Sequence, residues 1–135
     1  MNFTGVIAAI ATFLGIWFGH VAVRKIEFIS PTIWFPSLLI AALGLVVEFL
    51  SLSISSIPWS LALGIFGMTL LIDALQIPLQ QKRVIKGHAP ANPQNPRHAK
   101  ILAENPSATT RDLLKRDPVV HISPSQESNQ LPSNN

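Results

Sequence analysis

Cysteine is absent from the 135-residue chain, and charged residues make up only 13% of it. The first absence excludes a disulfide framework, a thiolate metal site and a cysteine nucleophile. The second sets the chain apart from a soluble domain of this size, in which about 25% of residues would be charged. The shortage is uneven. Residues 1 to 81 hold only Arg24, Lys25, Glu27, Glu48 and Asp73, and every other charge stands after Gln81. A Gly-rich phosphate loop and closely spaced carboxylate pairs are also lacking. No constellation for enzyme chemistry is present, so the expectation is a non-enzymatic protein. Nothing in the pattern calls for a cofactor, a small-molecule substrate or nucleic acid.

Long apolar runs fill the first part. They cover about residues 4–23, 36–54 and 58–79, each close to the ~20 residues that a helix needs to cross a ~30 Å hydrocarbon core. A cleaved signal peptide fits the first run poorly, because no Lys or Arg precedes it and its apolar part is long. The expected fold class is all-α: three transmembrane helices in a compact bundle, then a Pro-rich, mostly irregular cytoplasmic tail with one or two short helices. The domain division is 1–81 for the helices and 82–135 for the tail. With three spans, the loop at Arg24 and the tail share one side, and together they hold all ten Lys and Arg residues. The positive-inside bias then places the N-terminus outside and the C-terminus in the cytoplasm. Trp34 and Trp59 fall at span entries, where indoles favour the membrane interface.

Small residues recur every three or four positions along each run. The first carries Ala8, Thr12, Gly15, Gly19 and Ala22; the second Ser37, Ala41, Gly44, Glu48, Ser51 and Ser55; the third Ser60, Gly64, Gly67 and Ala74, with Leu71 between. Such stripes let helix backbones approach closely, which is the main available attraction between helices in lipid. Pro58 suits the first turn of the third helix. The second helix has two possible starts, Pro31 and Pro36. Pro78 removes the hydrogen bond to the Ala74 carbonyl and is expected to kink or end its helix.

The intramembrane polar candidates are Glu48, Asp73, His20 and Arg24. Glu48 lies on the second stripe in a half of the membrane that holds no Lys or Arg. Burying a carboxyl there is costly, which makes it either an ion- or proton-binding group or one end of an interhelical hydrogen bond. Asp73 sits near the cytoplasmic end at the depth of His20, with Arg24 one turn further. An Asp–His pair serves a proton relay; equally, it staples a bundle end or snorkels to the rim, and the rim position favours the latter.

The segments "MNFTG", "FGHVAVRKIEF", "ALGIFGMTLL" and "KRVIKGHAPANP" occur in that order. Over about residues 1–93 the chain resembles DUF4491, a family of small bacterial membrane proteins with no assigned function. The resemblance implies a bacterial, multi-span membrane protein and supplies no functional residue; with the charge-based orientation, the expected location is the inner membrane. The chain continues beyond Pro93 to Asn135.

Residues 87 to 135 hold seven prolines, a composition that argues against a packed domain. Asn-Pro pairs propose two short helices, from Pro96 and from Pro106 to Asp117, each with an Asn cap and Pro in the first turn. Both are too short to be stable alone and are expected to fold on a partner or on the membrane surface. Leu113 and Leu114, flanked by Arg111 and Arg116, are the docking candidates. His88, His98 and His121 read as dispersed surface histidines. The leading expectation is thus an accessory or structural subunit in the lipid bilayer, packed on a larger membrane complex or on copies of itself, its tail docking in the cytoplasm. The alternative is a small oligomeric transporter or channel using Glu48 and the Asp73–His20 pair.

Overall fold

Each apolar run becomes a helix, the structure in which a segment without polar side chains satisfies its own peptide groups. A computed structural model describes residues 3–112. Its helices are α1 (Thr4–Ile29), α2 (Trp34–Ser53), α3 (Ile57–Ile85) and the short α4 (Pro96–Glu104), with no strand among the described residues. The first three are long and apolar enough to cross a membrane.

Helix ends differ from the hydropathy limits. α1 and α3 each run six residues past their apolar stretch, to Ile29 and Ile85. At 1.5 Å per residue they are about 39 and 44 Å long, against ~30 Å for α2. Hydropathy marks where lipid can lie; it is blind to helical turns held by other parts of the chain. Pro78 does not end α3, and Gln80 and Val84 beyond it are buried. The start of α2 is Trp34, between the two alternatives, which places Pro36 in the first turn. Pro58 lies in the first turn of α3.

α3 ends on Gly87, whose φ of 73° lies in the left-handed region. The Gly87 N–H donates to the Val84 carbonyl at 3.0 Å and the His88 N–H to the Arg83 carbonyl at 2.8 Å. Together these form a Schellman motif, which satisfies carbonyls that the helix leaves free. A side chain at position 87 would also collide with the Ser107 carbonyl oxygen.

The extensive helix contacts are those of α2 with α3 and of α1 with α3. Gly15 of α1 faces Thr69, and Gly19, one turn on, faces Asp73. Val23 and Ile77, the next step on each helix, are both buried. The seam on α2 is Gly44, Glu48 and Ser51, set against Leu71, Gly67 and Gly64 of α3. Residues advance by about 100° around a helix, so Thr69, Asp73 and Ile77 stand on roughly the opposite side of α3 from Gly64, Gly67 and Leu71. The three helices pack together with α3 in the middle. On α1 the buried line is Gly15, Gly19, Val23 and Glu27, spaced by four, while Thr12 and Ala22 are exposed and Ala8 and Ala41 half-buried. Thr12 donates its hydroxyl to the Ala8 carbonyl, and Ser60 donates to the Ser51 carbonyl at 2.8 Å, tying the two ends of the α2–α3 turn.

Residues after α3 depart from the expectation of an unpacked tail. Val84, Ala89, Ala91 and Ile101 form a small core, with Ile85, Leu102 and Ala108 against it. Over these residues the segment packs on its own chain. The helix expected from Pro106 does not form over 106–112; its remainder, with Leu113, Leu114 and Arg116, lies outside the described residues. The physical reason is local. The Ser107 hydroxyl donates to the Ile85 carbonyl, and the Thr109 carbonyl accepts the Ala91 N–H, both at 2.8 Å. These bonds bind the strip to the end of α3 and to the following turn instead of starting a helical ladder.

A Cβ on Gly44 would stand 3.0 Å from the Gly67 carbonyl oxygen and from Leu71. Gly44→Leu is therefore expected to lower stability by about 1–3 kcal/mol through overpacking. Thermal unfolding in micelles checks this, with the exposed Ala42→Leu expected to unfold like the parent.

Candidate functional site

The densest polar centre lies where α1 ends. Glu27 completes the four-spaced buried line of α1 and is only 1% exposed. Its partners come from the start of α4. Asn95 caps that helix, its Oδ1 accepting the Arg97 N–H at 3.1 Å, and Pro96 occupies the first turn. This capping directs the two side chains that follow toward α1. Arg97 Nη1 and His98 Nε2 each lie 2.9 Å from Glu27 Oε1, and Arg97 Nη2 also donates to the Glu27 backbone carbonyl.

His98 is fully buried, so the surface reading of it is corrected. Its Nδ1 accepts the Asn92 backbone N–H at 2.8 Å. A ring nitrogen that accepts carries no proton, so Nε2 holds it and donates to Glu27. The imidazole is therefore neutral in this arrangement, and the charge of Glu27 is balanced by Arg97 alone. Phe28 covers one edge of the ring, with centroids 6.2 Å apart.

The same segment closes the end of α1. The Phe28 carbonyl accepts from the side-chain amides of Asn92 and Asn95, each at 3.2 Å, and the Ser30 carbonyl accepts from Asn95 at 2.9 Å. The last carbonyls of a helix have no partner within it, and here asparagine and arginine side chains supply one. Asn92 also accepts the Gln94 N–H through its side chain, an Asx turn that holds the loop in register.

Beside this clamp opens a pocket of about 570 Å³ between α1, the end of α3 and residues 89–93. Arg24, Lys25 and His20 line it together with Gln80 and Phe28. A second, smaller groove of about 220 Å³ runs over Gly15, Gly19 and Ala22 and contains Thr69 and Asp73.

The candidates chosen from sequence fall into separate places. Asp73 packs on Gly19, and His20 is near enough to act on it electrostatically, though no ion pair joins them among the described residues. Arg24 is exposed at the pocket and makes no ion pair with Asp73. Glu48 lies half-buried across α3 from them, where a Cβ on Gly67 would stand 3.0 Å from its carboxyl oxygen. Arg111 is exposed, and its backbone N–H donates to the Thr109 hydroxyl. Among the described residues no group of three potential ligands stands close enough to hold a metal ion.

Sequence reasoning missed Glu27, Arg97, His98, Asn92 and Asn95 as one unit. A signal existed for Glu27: it extends Gly15, Gly19 and Val23 by one further step of four. None exists for its pairing, since Arg97 and His98 lie 70 and 71 residues away.

The family model described as a domain of unknown function, DUF4491, matches residues 2–95. The match includes Glu27, Asn92 and Asn95 and stops just before Arg97 and His98. No curated protein and no solved structure matches the chain.

Removing one partner of a buried ion pair costs about 3–5 kcal/mol, because the other charge is left uncompensated. Glu27→Ala is expected to fall in that range and to expose Arg97 and Lys100 to trypsin. The Glu27→Ala/Arg97→Ala double variant is expected to lose less than the sum of the single losses, read from unfolding in micelles. Gly87→Ala is expected to cost roughly 1–3 kcal/mol through its backbone strain and the collision with Ser107, and to loosen the same segment to trypsin.

Proposed function

We propose, from the premise that this chain belongs to the DUF4491 family, that it is a multi-span integral membrane protein serving as a structural or accessory subunit. The supporting observation is the apolar surface left on the outer helices. α3 occupies the middle, so α1 and α2 each turn a broad face outward. Leu38, Phe49 and Leu52 of α2 are 72%, 72% and 82% exposed, and Phe13 of α1 is 67% exposed. A surface of this kind belongs in lipid or against other apolar helices. The charge asymmetry supports inner-membrane placement.

Orientation rests on charge. Arg24 and Lys25 end the apolar part of α1, while Lys82 and Arg83 stand in the last turn of α3. The Glu27 clamp holds these two ends together, so the basic side acts as one body facing the cytoplasm. The N-terminus and the turn at Ser55 then face outward. The docking contacts of this reading are Leu113 and Leu114, which lie outside the described residues. The outer faces of α1 and α2 receive the partner, either a larger membrane complex or further copies of the chain.

The lack of cysteine makes a clean labelling test available. In intact cells a membrane-impermeant maleimide is expected to label Ser55→Cys, and to label Thr32→Cys only after the membrane is opened. The reverse pattern would invert the orientation. Gentle extraction in native lipid discs is expected to give a particle heavier than the monomer. A lone monomer with a protease-sensitive C-terminal end would refute the subunit role.

A further inference from the structure

The pocket beside the clamp holds an unusual balance of groups. Arg24 and Lys25 stand on its wall, and neither makes an ion pair or a side-chain hydrogen bond among the described residues. Glu27 also borders it, but its charge is taken by Arg97. Asp112 lines the pocket as the second acid; with Arg97 offsetting Glu27 from outside the lining, Arg24 and Lys25 leave one positive charge in excess around it. Gln80 adds a donor: its Oε1 accepts from Arg83 Nη1 at 3.2 Å, which leaves its amide NH2 for a ligand. His20 and Thr110 also border it, and the remaining wall is apolar, with Phe28 and the turn at Pro90. Its volume, about 570 Å³, lies inside the ~300–1,000 Å³ range of small-ligand sites.

Position decides the chemistry. Arg24 and Lys25 directly follow the apolar run that ends at Val23, which is the level of lipid phosphates when α1 spans a bilayer. We propose that this pocket binds the phosphate of an anionic phospholipid in the adjacent leaflet. Arg24 and Lys25 hold the phosphate, the Gln80 amide donates to it, and Phe28 packs on the glycerol end. The proposal rests on the membrane placement given above. A soluble phosphate shares the polar half of this chemistry but makes no use of the apolar wall.

Native mass spectrometry of the full chain in detergent tests it, with phosphatidylglycerol and phosphatidylcholine added in turn. Phosphatidylglycerol is expected to be retained preferentially. Arg24→Gln and Lys25→Gln should each lower its affinity about fivefold, with phosphatidylcholine unaffected and helical circular dichroism unchanged. The charge-keeping variants Arg24→Lys and Lys25→Arg should retain binding. Lys86→Gln/Lys100→Gln, which removes two cations outside the pocket, should also bind normally. Equal retention of the two lipids would overturn the proposal, and so would an equal loss in the Lys86/Lys100 variant. Displacement of the lipid by millimolar inorganic phosphate would assign the site to a soluble anion and overturn it as well. Alkaline carbonate extraction is read separately. Release of the protein from membranes removes the membrane reading and the lipid site with it, whereas retention without lipid preference removes the site alone.

Discussion

One buried carboxylate organises the basic end of this molecule. Glu27 is the last member of the α1 line that faces inward, and it is reached by a guanidinium and an imidazole from the far end of the described chain. A carboxylate this enclosed is tolerated only with its charge balanced and its oxygens bonded. The segment from His88 to Glu104 therefore folds back on the helices. Its prolines and asparagines, which resemble a loose linker by composition, are the means of folding back. Pro96 and Asn95 start α4, and the Asn92 and Asn95 amides cap α1.

The α1–α3 and α2–α3 seams obey a different economy. With the helices in lipid, as proposed, there is little hydrophobic drive between them, so close approach and hydrogen bonds would carry the association. Gly15 and Gly19 make room for Thr69 and Asp73, while Gly67 makes room for Glu48. Each polar side chain thus lies over a glycine of the neighbouring helix. This pairing gives the two acids room within the apolar helices, where among the described residues no cation is bonded to either one. It also places them on opposite sides of α3, which separates the groups that a shared transport path would bring together.

How much of this the sequence shows depends on the range of the interaction. The apolar runs are legible because a segment with nothing polar to offer has essentially one way to satisfy its backbone in lipid. The Asn95–Pro96 cap is legible for a similar reason, being complete within four residues. Gly87 carried a readable signal, a glycine just past a basic last turn, yet its importance comes equally from Ser107, which stands close only in the folded chain. Glu27 extends the four-spaced line of Gly15, Gly19 and Val23, but nothing near it in "VRKIEF" announces its pairing with Arg97 and His98. Composition misjudged residues 87–112 because the stabilising bonds there involve mostly side chains and cross long separations. Proline content does not report them.

The clamp and the neighbouring pocket are consequences of one charge arrangement. "VRKIEF" places two cations and one acid within four residues, a group that would ordinarily neutralise much of itself on a helix surface. Drawing Glu27 inward to Arg97 removes the acid from that group and leaves Arg24 and Lys25 outward without an ion pair among the described residues. The basic face is therefore made by the fold rather than by the local sequence. A chain in which Glu27 instead paired with Arg24, three residues before it, would have neither a closed end to α1 nor a positive pocket beside it.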